Sequence, residues 1–196
     1  MAQDRATGSP TAPQTGTAIA EAGRPRRLVD PCRLFLALWP SADEQAQLLA
    51  YLRQWSWPAG SAPVRADRLH LTLHFIGSVE RRRLAELRTG LRVPLNPFEL
   101  GLTRPESWPR GLIVLRAAPL TEPLQQLHAS LGEALHSLGL PPETRRFRPH
   151  VTLARRAAGA IPPLATPDLD WRIDSYALVE SLPGAADGYR IRQHYA

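Results

Sequence analysis

The chain has 196 residues, 43% hydrophobic and 21% charged, and a formal charge of +6 carried wholly by arginine, since it contains no lysine. That balance fits a globular protein with a real core and no apolar run near the ~20 residues of a membrane span. One cysteine, Cys32, excludes an internal disulfide, and the start lacks a basic-then-apolar leader, so a reducing cytoplasm is the expected location.

Residues 1–30, rich in Ala, Thr, Gly and Pro without an apolar period, read as a disordered tail, leaving 31–196 as the folded domain. Residues 33–39 (RLFLALW) read as a buried strand stopped by Pro40. Ser41, with Glu44 three positions on, predicts an N-cap and a helix reaching about Gln54. A Trp/Pro/Gly-rich loop (55–63) leads to a strand over 68–76, which Gly77-Ser78 is expected to end. Residues 80–91 predict a second helix with Arg81, Arg82 and Arg83 in its first turn, read as a solvated face rather than an RNA contact. Strands are expected over 98–102 and 111–116, joined by a Pro/Trp loop. Thr121 is placed to cap a helix over 123–138, ended by Gly139 and Pro141-Pro142. A strand from His150, a Pro-rich loop (161–167) and two closing strands over 171–180 and 189–194 complete the chain.

Two of these strands echo each other. One begins His70-Leu71-Thr72-Leu73 and the other His150-Val151-Thr152-Leu153, 80 residues later (150 − 70). Residues i and i+2 of a strand share a face about 6.6 Å apart, so each strand presents an imidazole beside a hydroxyl. From Leu34 to His70 is 36 residues and from Ile113 to His150 is 37, with strand, helix, loop and His-strand in the same order. This internal duplication predicts two similar lobes about a pseudo-twofold cleft. A third match, His128-Ala129-Ser130-Leu131, falls in the predicted helix, where His and Ser point about 200° apart and cannot share a site.

His74 is expected on the face of His70, as a neighbour of the cleft or a surface group. No cysteine or carboxylate stands at ligand-like spacing beside these histidines, so no metal site is expected. Two histidines of ordinary pKa near ~6.5 suit paired acid–base chemistry, one accepting a proton while the other donates. With hydroxyl and guanidinium donors alongside, they form the equipment for in-line phosphoester cleavage. The arginine excess makes an anionic partner, nucleic acid above all, the expected one.

Taken together, RLFLALW, LHLTLHFIG, FRPHVTLAR and a closing strand with Tyr189 resemble the 2H phosphoesterases, marked by two His-x-Ser/Thr-x motifs at about this spacing. The resemblance is to their RNA 2′,3′-cyclic phosphodiesterase branch, also called the 2′-5′ RNA ligase family, and it spans residue 33 to about 195. It implies an α+β bilobal fold with two antiparallel sheets around a central cleft and helices outside. It also implies hydrolysis of RNA 2′,3′-cyclic phosphate ends to a 2′-phosphate, without cofactor or metal, by a monomer. His150 would be the general base and His70 the general acid. Thr72, Thr152 and Arg155 would hold the phosphate, with Phe75 and Phe147 as base-stacking candidates. Strand parity alone points Phe75 away from His70. The same site run in reverse would join a cyclic end to a 5′-hydroxyl in a 2′-5′ linkage. Action on a small cyclic nucleotide or 2′-5′ oligonucleotide, and RNA-end binding without turnover, are the alternatives.

Overall fold

A computed structural model describes residues 28–196, except 142, 144, 166, 168, 183 and 185–187; nearly all of the expected disordered tail lies outside the described residues. The elements are β1 (Pro31–Leu38), α1 (Ala42–Leu52), β2 (Ala62–Pro63), β3 (Leu71–Glu80), α2 (Leu84–Gly90), β4 (Phe98–Trp108), β5 (Leu112–Ala117), α3 (Glu122–Ser137), β6 (His150–Arg155), β7 (Asp170–Ile173), β8 (Tyr176–Ser181) and β9 (Tyr189–Tyr195). The strands follow one path, β7-β4-β5-β6-β3-β1-β8-β9, with β2 added beside β6. The fold is α+β and antiparallel.

The expectation was two antiparallel sheets around a cleft. The structure carries two four-strand antiparallel halves, joined through β3 and β6, which pair at one position, Leu71↔Val151. The duplication is visible in the pairing: β1 lies beside β3 as β5 lies beside β6, and α1 follows β1 as α3 follows β5. The final strands β8 and β9 return to the first half, while β7 completes the second.

One face of the sheet holds the main core. Leu34, Leu36 and Leu38 of β1, Leu71 and Leu73 of β3, and Val151 and Leu153 of β6 pack with Leu48 and Leu52 of α1, Leu87 of α2, and Leu124, Leu127, Leu131 and Leu135 of α3. Burying each leucine contributes roughly 1.5–3 kcal/mol. The other face carries a smaller cluster, Phe35, Ala37, Ala177 and Val179, edged by Trp39, Tyr189 and Ile191. β1 is thus apolar on both faces, which explains its uninterrupted hydrophobic run.

Local signals account for the helix ends. The Ser41 hydroxyl accepts from the Glu44 N–H at 3.3 Å while the Ser41 N–H donates to the Glu44 carboxylate at 2.7 Å, closing the predicted capping box. α3 ends at Gly139 (φ +69°), where the Gly139 and Leu140 N–H groups donate to the His136 and Leu135 carbonyls. Thr121, expected as its cap, makes no side-chain capping bond.

Four boundaries differ from the sequence reading. β3 runs on through Gly77, which at φ +83° sits in a bulge, so the glycine bends the strand without ending it. The predicted Pro/Trp loop is the second half of β4; Pro105 pairs with Leu115 there, and β7 covers only Phe98–Gly101, so the proline's missing donor faces an open edge. The expected helix over 80–91 is a tight turn at Arg81–Arg83 followed by α2. The strand expected over 171–180 is two, β7 and β8, parted at Asp174-Ser175. Nor are the three arginines simply solvated: Arg81 pairs with Asp30 and the buried Glu180, Arg82 with Glu80, and Arg83 with Glu86.

Candidate active site

Leu71 and Val151 lie directly opposite each other and are fully buried on the helix side. Antiparallel pairing at that position sets His70 towards Thr152 and Thr72 towards His150, all four on the face away from the helices. The two motifs therefore form one site across the seam, related by a local twofold. Each imidazole is anchored alike: Nδ1–H of His70 donates to the Arg68 carbonyl at 2.7 Å, and Nδ1–H of His150 to the Arg148 carbonyl at 2.6 Å. A carbonyl can only accept, so Nδ1 keeps the hydrogen and Nε2 is left to exchange a proton with a substrate. Among the described residues, neither threonine hydroxyl has a protein hydrogen-bond partner.

A bulge in each strand then decides what else reaches this face. In β3 the register with β1 skips Leu73, since Ala37 pairs with Thr72 but Leu36 with His74. In β6 the register with β5 skips Leu153, since Val114 pairs with Thr152 but Ile113 with Ala154. Parity reverses beyond each bulge. The residue five places after each histidine, Phe75 or Arg155, thereby turns onto the cleft face. Phe75 is 52% exposed there and packs against Phe35 at 6.3 Å between ring centroids. Simple alternation had pointed it to the other face.

The same reversal corrects His74. It does not share the face of His70; it is 1% exposed on the helix side, its Nε2–H donating to the His128 carbonyl at 2.8 Å. Its ring stacks on His128 at 4.0 Å, and His128 stacks on Phe147 at 3.9 Å. Phe147 thus lies in this helix-side stack, apart from the residues around His70 and His150.

The neighbours of the two histidines differ sharply. His70 is enclosed by aromatic rings: Trp39 stacked at 5.3 Å, Phe35 at 5.1 Å and Tyr189 edge-on at 5.2 Å. Burial pushes its pKa down to about 4, and the charges of His150 and Arg155 add to the effect. His150 lies against Trp108 at 4.5 Å, with the Arg148 guanidinium 4.3 Å over the same indole. Its pKa is also lowered, by burial first and then by Arg148, Arg116 and Arg155. Arg155, on the same face, acts electrostatically on both imidazoles. Both shifts favour the neutral imidazoles at pH 7.

Glu106 organises the His150 side. Its carboxylate accepts from Trp108 Nε1 at 2.7 Å, Arg116 at 2.9 Å and Arg148 at 3.1 Å, and pairs with Arg104 at 3.4 Å. Sequence reading missed Phe35, Trp39, Glu106, Trp108, Arg116 and Arg148 as site residues. Phe35, Glu106, Trp108 and Arg116 come from strands whose register with the histidine strands no local motif encodes, Trp39 directly follows β1, and Arg148 lies two residues before His150. Among the described residues, no group of three or more His, Cys, Asp and Glu is placed to hold a metal ion.

The sequence and the fold have clear parallels among known proteins. The chain is 34% identical over 173 residues to an RNA 2′,3′-cyclic phosphodiesterase of Escherichia coli, spanning 85% of this chain and 93% of the relative. It is 30% identical over 164 residues to a Thermus thermophilus protein of the same name, spanning 76% and 81%. The crystal structure of apo E. coli LigT superposes with a TM-score of 0.73 at 27% identity, covering 86% of this chain and 98% of LigT; LigT complexed with 3′-AMP gives 0.73 over 85% and 98%. Residues 38–184 match the model of the 2′-5′ RNA ligase superfamily. The protein belongs to that superfamily.

Proposed function

We propose that the protein hydrolyses RNA ends bearing a 2′,3′-cyclic phosphate to a 2′-phosphate and a 3′-hydroxyl, without a metal. The observation that carries this reading is the pair of imidazoles, each fixed through Nδ1 and each offering Nε2 to one cleft. His150 Nε2 takes a proton from water as its oxygen attacks phosphorus in line with the P–O3′ bond. That bond breaks, and His70 Nε2–H gives its proton to the departing O3′. Thr72 and Thr152 donate to the non-bridging oxygens, and Arg155 balances the charge of the pentavalent centre. Burial keeps His70 neutral in the empty cleft, so the anionic substrate itself must raise its pKa and load the acid. With a 5′-hydroxyl in place of water, the same movements leave a 2′-5′ phosphodiester, the ligation expected of the family. The names of the curated relatives support the reading.

The test is a short RNA ending in a 2′,3′-cyclic phosphate, incubated with the protein in EDTA, with the new end group identified. A 2′-phosphate is the expected product. A 3′-phosphate would exchange the two histidine roles, and loss of turnover on chelation would overturn the metal-free mechanism.

A further inference from the structure

The backbone of this cleft is nearly twofold, but its side chains are not. Continuing the β1–β3 register one step past Leu38↔Leu71 sets Trp39 opposite His70; the equivalent partner of His150 is Arg116. Five places past the histidines stand Phe75 in one half and Arg155 in the other. In the next row, Thr72 leads through Ala37 to Ala177, whereas Thr152 leads through Val114 to Glu106. One half is therefore aromatic where the other is cationic.

The cationic half also holds more charge than its fold uses. Arg104, Arg116 and His150 form a row across β4, β5 and β6 on the cleft face. Arg104, Arg116 and Arg148 share the single carboxylate of Glu106, three positive charges on one negative. Arg116 is mostly buried, yet its Nε has no hydrogen-bond partner. Arg148 is half exposed at the rim, its guanidinium stacked over Trp108 and so fixed in direction. An arginine anchored by one edge, with its remaining N–H groups free, suits a phosphate oxygen.

We propose that Arg116 and Arg148, held by Glu106, form a second phosphate subsite on the His150 side of the cleft, which takes the phosphodiester joining the terminal nucleotide to the one before it. The inference rests on the phosphodiesterase reading above and adds polarity to it. The cyclic phosphate sits at the seam, the terminal nucleoside leans on the aromatic half, and the preceding backbone crosses the arginine half. The preferred substrate is then an oligonucleotide end and not a free cyclic mononucleotide.

The experiment compares a 2′,3′-cyclic mononucleotide, a dinucleotide ending in the cyclic phosphate, and the same dinucleotide with an uncharged methylphosphonate linkage. For the unaltered protein, kcat/KM on the charged dinucleotide should exceed that on the neutral one by about tenfold or more, an advantage that shrinks with added salt. In Arg148→Gln, and separately in Arg116→Gln, that ratio should fall towards one, and an unchanged circular-dichroism spectrum and thermal melt show that the variant has folded. Equal rates on the charged and neutral linkages in the unaltered protein, or a ratio that survives both substitutions, overturns the subsite while leaving the phosphodiesterase reading intact. Turnover of none of the three substrates ends that reading, and the subsite with it.

Discussion

His70 and His150 act as proton carriers only if one holds a proton while the other does not. Replacing either with alanine should lower kcat by about 10²–10⁴-fold while the protein keeps its circular-dichroism spectrum; activity within tenfold of the original in either variant would sink the two-histidine mechanism. Their depressed pKa values set the pH dependence. Both groups titrate below 6.5 in the free protein, His70 near 4. The singly protonated pair is thus lost as pH rises through the higher of the two values, and kcat/KM should peak on the acid side of ~6.5. A bound phosphate anion raises both values, so kcat should peak at higher pH than kcat/KM. Profiles taken at low and saturating substrate give the two optima, and a kcat/KM optimum above pH 8 would contradict the site's electrostatics. The histidines and threonines were legible in the sequence because their spacing of two needs only a strand to bring them together. The facing of Phe75 and Arg155 was not, because it depends on bulges at Leu73 and Leu153 that a plain alternation cannot show.

The His74–His128–Phe147 stack ties β3, α3 and the approach to His150 into one unit. Burial, then the charge of His74, pushes the His128 pKa down to about 4, and His74 is lowered by burial as well. An unfolded chain binds those protons near pH 6.5, so between about 6.5 and 4 it holds more protons than the folded one. Stability is therefore full above pH 6.5 and declines as pH falls towards 4, with His128 accounting for up to about 3 kcal/mol. His128→Phe, which keeps a ring in the stack, should flatten the dependence of Tm on pH in that window and change Tm little at pH 7.5. An unchanged acid slope would mean that the stack does not resist protonation. This pairing was also invisible in the sequence, which identified His128 as a helix residue but placed His74 with His70. The α1 capping box, by contrast, was fully legible, because it is set by two residues three positions apart.

Across the whole molecule, the two halves are not independent units. The chain builds β1 and β3, leaves to build β4 to β7, and returns with β8 and β9 to complete the first half. Glu180 of β8 marks that return. Its side chain is 2% exposed and binds Arg81, next to the end of β3, and Arg192 of β9. Burial alone would raise its pKa, but hydrogen bonds from the two arginines outweigh it and hold the carboxyl below its usual range. Its contribution is thus present above pH ~4.5 and lost as pH falls below that. Glu180→Ala takes the buried carboxylate from Arg192 and leaves Arg81 with Asp30 alone, and should cost about 3 kcal/mol, lowering Tm by roughly 6–12 °C for a domain of this size. Thermal melts of the variant at neutral pH measure this, and a shift under 2 °C would show that the triad carries no stability. The strand–helix–strand duplication could be read from spacing alone, whereas the late return of β8 could not, since nothing local in residues 176–181 specifies β1 as its partner.

The twofold backbone has one more consequence, for how this protein can change over time. In the proposed reading, reaction and recognition occupy different positions: His70, Thr72, His150, Thr152 and Arg155 serve the reacting phosphate at the seam, while Trp39 and Arg116 stand at matched places around it and Phe75 beside the aromatic half. Mutations at the second set can alter which phosphodiester is admitted, and in which direction, while the proton-transfer machinery stays in register. A lineage carrying this cleft can therefore explore new substrates by exchanging aromatic for cationic side chains, one half at a time, without rebuilding its chemistry.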